Sequence, residues 1–154
     1  PGPARRSGMP PSATPGDDYA ALFNAVPSPA NGMCYCTGSL GVRADNDLPA
    51  IARRFASRIH FAHLRATKRE GDGRSFHESA HLEGDVDMVA VLKELVAEDR
   101  NRKADETIVF RSDHGHRMLD DLTKTTTPGY PAIGRLRGLA ELRGILHALG
   151  APPT

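Results

Sequence analysis

Three short apolar segments alternate along this chain with longer segments whose apolar residues recur at helical spacing, and this alternation constrains the fold more than any other feature. The apolar segments have the length and the β-branched or aromatic residues typical of strands. They cover Met33–Cys36 and residues 58–63 and 107–110. Helices are predicted over residues 19–26, 48–57, 86–103 and 130–149. Because strands joined by crossover helices lie parallel, the sequence predicts an α/β fold with about three parallel strands.

The segments outside this alternation set the expected domain boundaries. Residues 1–16 are rich in proline and glycine and are predicted to be irregular, and residues 151–154 form a short tail. The polar residues 65–85 are predicted to be a loop, and loops of this length inside a domain are usually functional. A short helical piece is expected around residues 118–122. The folded domain is therefore assigned to residues 17–150.

Composition argues against several classes of partner. Lysine and arginine number 20 against 19 aspartate and glutamate residues, so the net charge of +1 gives no reason to expect nucleic acid or a membrane surface. No apolar run approaches the roughly 20 residues that span a bilayer. The first residues lack the apolar region of a signal peptide, and we expect a cytoplasmic protein. Cys34 and Cys36 are expected to be reduced thiols, since a disulfide between them would be strained.

Each predicted strand ends in a side chain that binds metals or transfers protons. The first ends at Cys36, the second at His63, and the third runs into the segment RSDHGH over residues 111–116. The carboxyl ends of parallel strands meet at one edge of the sheet, which is where α/β enzymes carry their active sites. The pattern predicts one metal-centred site built from all three strands.

Each of these residues taken alone also has a structural interpretation. A lone Cys36 would more often be a small buried apolar residue than a ligand. His63 could equally be a hydrogen-bonded core residue, and Asp113 could cap a helix. Tyr130, at the start of a predicted helix, would ordinarily be a packing residue. Only the combination of residues favours the site.

Three other histidines are possible metal ligands by residue type. His60 lies on the opposite strand face from His63 and is interpreted as structural. His77 and His81 are four residues apart and could bind zinc from one face of a helix. The glycines around them favour a loop instead, so a zinc site there is not expected.

Six segments of the chain, in their order, resemble the mannonate dehydratase family. They are NGMCYCTGSLG (31–41), IHFAHLR (59–65), SFHE (75–78), GDVDM (84–88), RSDHGH (111–116) and PGY (128–130). The resemblance extends from about residue 18 to about residue 146. The family more often has proline where Ser112 stands.

This resemblance implies a fold and an activity. Members of the family are (β/α)8 barrels that convert D-mannonate to 2-dehydro-3-deoxy-D-gluconate and water in hexuronate catabolism, with Mn²⁺ or Fe²⁺. The chain is similar to the C-terminal part of such a barrel, about its last three strands with their helices. The family takes a further metal-binding histidine from an upstream His-Pro-Asp-Asp-Pro-Pro segment, which this chain does not contain. The implied partner is a small sugar acid, and a homo-oligomer is left open.

The resemblance also implies roles for individual residues. The metal ligands of the family fall on Cys36, His63 and Asp113. Its acid–base pair, a histidine after that aspartate and a tyrosine after Pro-Gly, falls on His114 and Tyr130.

Substrate contacts and the activity of the chain itself are less constrained. Arg65 and His77 are the candidate substrate-binding residues. Two alternatives to an active enzyme stay open: an inactive truncated remnant, and a small metal-binding or oligomerising module. Turnover would favour the enzyme, and assembly with bound metal but no turnover would favour the module.

Overall fold

In the computed structural model, which describes residues 15–151, helices and strands alternate around a small parallel sheet. The helices are α1 (Pro15–Ala25), α2 (Thr37–Gly41), α3 (Leu48–Arg54), α4 (Met88–Asp99) and α5 (Ala132–Ala148). The strands are β1 (Met33–Cys36), β2 (Ile59–His63), β3 (Ala66–Arg69), β4 (Phe76–Ser79) and β5 (Val109–Arg111). Two 3₁₀ segments, Ala56–Arg58 and Leu119–Thr123, complete the list.

The main sheet has the order β1-β2-β5, and both pairs of neighbours are parallel. This confirms the predicted α/β arrangement of three parallel strands with helices between them. In the register of the sheet, Cys36 pairs with His63 and His63 pairs with Arg111. The last residues of the three strands therefore lie side by side at one edge of the sheet.

The prediction of a loop over residues 65–85 is wrong, because this segment contains the antiparallel hairpin β3–β4. Ala66 and Thr67, the first two residues of β3, are fully buried, so the start of the hairpin packs into the domain although its sequence is polar. Asp72 closes the turn by accepting hydrogen bonds from the backbone N–H groups of Arg74 (2.9 Å) and Ser75 (2.8 Å). A carboxylate that accepts such bonds is a standard turn device.

Several predicted helices have different ends in the structure. The helix predicted over residues 86–103 begins at Met88, because the Asp87 side chain accepts a hydrogen bond from Ala90 N at 2.9 Å and caps it. Asp47 caps α3 in the same way, from Ala50 N at 3.0 Å. The short helix α2 was not predicted. Tyr130 lies two residues before α5, not inside it.

The ends of the chain can be compared with the prediction only in part. Helix α1 starts at Pro15, within the segment predicted to be irregular, and the rest of that segment lies outside the described residues. Of the predicted tail, only Ala151 is described. Among the described helices, none has the length and apolar content needed to cross a membrane.

The core lies between the parallel sheet and the helices. Its largest fully buried apolar side chains are Tyr35, Ile59, Leu64, Met88, Leu92 and Leu142. Tyr35 keeps its hydroxyl satisfied by donating a hydrogen bond to Leu48 O at 2.8 Å. Tyr35 alternates with Cys36 along β1, so its burial in the core turns the Cys36 side chain toward the other face of the sheet.

Two fully buried threonines differ in whether their hydroxyl has a partner, and this difference predicts opposite effects of the same substitution. Thr37 Oγ1 accepts a hydrogen bond from Arg65 N at 2.8 Å and donates one to Arg65 O at 2.6 Å. Thr67 Oγ1 has no partner among the described residues. We expect Thr37→Val to lower the free energy of unfolding by about 1–3 kcal/mol, since it leaves buried backbone groups unpaired, whereas Thr67→Val should be neutral or slightly stabilising. Urea unfolding of both variants measures this, and equal losses would contradict it.

Candidate metal centre

Three side chains from the three parallel strands meet at the carboxyl edge of the sheet. One potential ligand atom each from Cys36, His63 and Asp113 lies within 4.8 Å of the others. Cys36 and His63 are the last residues of β1 and β2, and Asp113 stands two residues beyond β5. Asp113 is buried and the other two are partly exposed. The structure thus brings together the three residues for which the sequence predicted a common site.

Asp113 reaches the cluster through an unusual backbone conformation. Its φ of 57° lies in the left-handed region, which aspartate tolerates better than most residues other than glycine. Its Oδ1 accepts a hydrogen bond from Arg111 Nη2 at 2.9 Å. Its Oδ2 lies 3.9 Å from His63 Nδ1 and 3.6 Å from His114 Nδ1. The carboxylate therefore faces both imidazoles.

Cys36 and His63 each have surroundings that suit a metal ligand. Cys36 Sγ accepts hydrogen bonds from Ser39 N (3.4 Å) and Ser39 Oγ (3.2 Å), which fix the position of the sulfur. Burial lowers the pKa of His63 and so favours the neutral imidazole that a metal requires. One sulfur, one nitrogen and one oxygen donor together suit a borderline divalent cation better than a hard one.

His114 and Tyr130 form a contact pair beside this cluster. Their ring centroids are 4.7 Å apart in an edge-to-face arrangement. His114 Nδ1 is buried and has no hydrogen-bond partner among the described residues. Gly129, with a φ of 81°, permits the approach, since a Cβ there would lie only 2.8 Å from His114 Cδ2. The Pro-Gly turn thereby sets Tyr130 against the imidazole.

Glu78 is a site residue that the sequence reasoning missed. Arg65 Nε donates to both of its carboxylate oxygens, at 2.9 and 2.8 Å, and Arg65 Nη2 also contacts it. Glu78 Oε2 lies 3.6 Å from His114 Nδ1. Glu78 therefore lies between Arg65, two residues beyond β2, and His114, which follows β5.

His77 is not brought to the cluster. Its Nδ1 lies 2.5 Å from Glu70 Oε1, and its side chain is 55% exposed. Neighbours along a strand point to opposite faces, so when Glu78 faces the site His77 faces away from it. A substrate contact by His77 stays a prediction. The signal that could have identified Glu78 is the alternation within β4, which becomes visible only when the segment is recognised as a strand.

His81 and His60 each donate a hydrogen bond to a backbone carbonyl. His81 is buried, and its Nε2 donates to Ser112 O at 2.8 Å, so a helical pair with His77 is not formed. His60 Nε2 donates to Pro29 O at 3.1 Å, in agreement with its structural interpretation.

Gly134 allows the turn that carries His114 to touch the start of α5. A Cβ on Gly134 would lie 2.0 Å from His116 O, whereas a Cβ on Gly144 of the same helix would meet nothing within 4 Å. We expect Gly134→Ala to lower the free energy of unfolding by about 1–3 kcal/mol, because backbone must move apart. Gly144→Ala should raise it by about 0.5–1 kcal/mol, since alanine favours the helix. Denaturant unfolding of the pair measures both, and a gain in stability from Gly134→Ala would contradict the close approach.

Comparison with known proteins gives consistent matches. The chain matches the D-mannonate dehydratase family over residues 1–152. It is 74% identical to the mannonate dehydratase of Brucella canis over 144 residues, which cover 94% of this chain and 36% of that protein. It is 58% identical to the mannonate dehydratase of Chromohalobacter salexigens, covering 92% of this chain and 37% of that protein.

A solved structure is also similar. The crystal structure of mannonate dehydratase from Streptococcus suis serotype 2 aligns with a TM-score of 0.76 and 33% sequence identity. The alignment covers 92% of this chain and 40% of the other. The chain therefore spans somewhat more than a third of the length of the relatives that it matches.

Proposed function

From the premise that the chain belongs to the D-mannonate dehydratase family, we propose that it supplies metal-binding and proton-transfer residues for the dehydration of D-mannonate to 2-dehydro-3-deoxy-D-gluconate. The observation that carries this proposal is the meeting of Cys36, His63 and Asp113 within 4.8 Å, beside the His114–Tyr130 pair. Because the chain spans 36% of the relative from Brucella canis, the activity, the substrate and the partners all belong to the proposal.

Cys36, His63 and Asp113 would hold Mn²⁺ or Fe²⁺. The thiolate and the neutral imidazole match the donor preferences of Fe²⁺, a borderline cation, and the carboxylate matches those of the harder Mn²⁺. A bound cation would supply Lewis-acid polarisation of the sugar acid. Arg111 contributes indirectly, since its hydrogen bond to Asp113 Oδ1 orients the carboxylate while Oδ2 stays directed at His63.

His114 and Tyr130 would carry the two proton transfers. Dehydration removes the proton next to the carboxylate and protonates the departing hydroxyl group, so it needs a base and an acid. His114 is assigned the role of base because it stands beside the proposed metal ligand Asp113, with its Nδ1 3.6 Å from Asp113 Oδ2 and without a hydrogen-bond partner in the described part of the chain. The tyrosine hydroxyl is a donor that could protonate the leaving group. The 4.7 Å ring contact keeps base and acid on the same side of the site.

Arg65 would bind the carboxylate end of the substrate. Its guanidinium is shared with Glu78, which holds it in one orientation at the site. The Arg65 stem packs over Gly38, where a Cβ would lie 2.5 Å from Arg65 Cδ. A fixed guanidinium recognises a carboxylate at a smaller cost in side-chain entropy than a mobile one. For His77, the same role rests on the family resemblance alone.

We also propose that the sheet forms part of a (β/α)8 barrel, about its last three strands. The parallel order β1-β2-β5 and the site at the carboxyl edge support this. Val109 of β5 is 59% exposed, and β1 and β5 each have one neighbour in the described sheet, so further strands could pair at both edges. The two free cysteines support a reducing compartment such as the cytoplasm.

The direct test measures formation of the 2-keto acid product from D-mannonate by the reduced chain loaded with Mn²⁺. Its epimer D-gluconate is the matched control substrate. Product from D-mannonate in excess of that from D-gluconate supports the proposal. Mn²⁺ binding without turnover would favour the metal-binding module. The absence of both Mn²⁺ binding and turnover would contradict the proposed site.

A further inference from the structure

His81 is a buried polar residue that the proposed chemistry does not use. It is 3% exposed and follows the hairpin strand β4. Its ring packs against α5 at Gly138, where a Cβ would lie 2.1 Å from His81 Cε1. A glycine is required at that position to admit the ring. The imidazole is thus built into the fold rather than accommodated in a loose space.

The partner of His81 is the residue that precedes Asp113. His81 Nε2 donates to Ser112 O at 2.8 Å, and a carbonyl can only accept, so Nε2 carries the proton. The Ser112 hydroxyl donates to Arg135 O of α5 at 3.0 Å. Ser112 is therefore held by its carbonyl and by its side chain at the point where the chain enters the left-handed conformation of Asp113.

A left-handed aspartate persists only where its surroundings over-determine it. The carbonyl of Ser112 belongs to the peptide unit whose orientation is linked to the φ of Asp113. A hydrogen bond on that carbonyl opposes rotation of the peptide toward a relaxed φ. The bond from His81 thereby acts on the direction in which the Asp113 carboxylate leaves the backbone, toward His63.

We propose that His81 is a positioning residue that fixes the Asp113 carboxylate in the geometry of the metal centre. The metal part of this inference rests on the proposed function, whereas the backbone part does not. Groups that orient a metal ligand typically contribute about 10- to 100-fold in metal affinity. The bond to Ser112 O, rather than burial of the ring, carries the effect.

The test compares two polar variants that differ in reach. Glutamine places its amide nitrogen near the position of His81 Nε2, whereas asparagine is too short to reach Ser112 O. The control is His60→Asn, which removes a similar histidine-to-carbonyl bond, that to Pro29 O, at the other end of β2. Two readouts are taken on the full chain. They are the Mn²⁺ dissociation constant by electron paramagnetic resonance, and the intraresidue HN–Hα nuclear Overhauser effect of Asp113, which is strong at positive φ.

We expect His81→Asn to weaken Mn²⁺ binding about 10- to 100-fold and to reduce the Asp113 signal. His81→Gln should keep both, and His60→Asn should change neither. If His81→Asn does not fold, Gly138→Ala replaces it, since its new Cβ displaces the ring. The inference would be overturned if His81→Asn left Mn²⁺ affinity and the Asp113 signal unchanged. It would also be overturned if His81→Gln or His60→Asn reduced them as much as His81→Asn does. Should the wild-type chain bind no Mn²⁺, the metal part of the proposed function fails, and the Asp113 signal alone decides the role of His81.

Discussion

Replacement of His114 by asparagine is expected, on the proposed function, to lower turnover of D-mannonate by about 10²- to 10⁴-fold, the usual contribution of a general base or acid. Asparagine keeps a polar side chain against Tyr130 but cannot accept a proton at neutral pH. Because His114 is not among the three clustered donor residues, Mn²⁺ affinity should change far less than turnover. Steady-state kinetics combined with a separate Mn²⁺ titration separates the two effects.

The matched control for this prediction is His147→Asn. His147 lies exposed in the last turn of α5, away from the site residues, and its replacement should leave turnover unchanged. Turnover of His114→Asn within about threefold of the wild type would remove His114 from proton transfer. A parallel loss of Mn²⁺ binding would mean instead that the imidazole helps to hold the cation.

The second large effect concerns stabilisation by the cation. Mn²⁺ at about a hundredfold excess over its dissociation constant should add about 2.7 kcal/mol to the free energy of unfolding, because a cation held by the three proposed ligands would bind only the folded chain. Cys36→Ser should abolish most of this gain, since a serine hydroxyl does not ionise to replace the thiolate. Thermal unfolding of the reduced protein with and without Mn²⁺ measures the shift.

Cys34 provides the internal control. It lies two residues earlier on β1, on the same strand face, but outside the cluster of donor atoms. Burial raises the pKa of its thiol, which disfavours a second thiolate. Cys34→Ser should therefore retain the full Mn²⁺ shift. Loss of the shift in both variants, or in neither, would contradict the assignment of Cys36 as a ligand.

The parallel sheet and the meeting of its strand ends could be predicted from the sequence because each is encoded locally. Apolar runs of strand length, separated by helices with a clear apolar stripe, fix the parallel arrangement. Parallel strands then bring their carboxyl ends together, so a residue such as Cys36 or His63 needs only to end its strand to reach the site. No long-range packing information is required for that inference.

The hairpin β3–β4 and the place of Glu78 at the candidate site could not be predicted in the same way. Strands β3 and β4 contain mostly polar residues, because only Ala66 and Thr67 at the start of β3 are buried and every residue of β4 is exposed or half-buried. Their pairing depends on the turn closed by Asp72 and on the domain beneath Ala66 and Thr67. Without that pairing, nothing in the sequence decides which of His77 and Glu78 faces the site. Because the polar residues do not indicate a strand, the sequence does not reveal that Glu78 faces the site.

The left-handed conformation of Asp113 was equally hidden from the sequence. The residue type tolerates a positive φ but does not require it. The conformation depends on the bond that His81 donates to Ser112 O and on the bond that the Ser112 hydroxyl donates to Arg135 O, and both partners are distant in sequence. The sequence therefore predicted Asp113 as a site residue but not the backbone geometry in which its carboxylate is presented.

The three donor side chains stand at the ends of three different strands, and this placement affects the rates of folding and unfolding. Crossovers separate the strands in sequence, so the donors converge only when all three strands have docked. A cation that requires all three donors cannot stabilise a transition state in which one strand is still absent. It would slow unfolding and leave the folding rate unchanged. In a cell, the supply of the cation would then govern the lifetime of each folded molecule against proteolysis more than the rate at which new molecules fold.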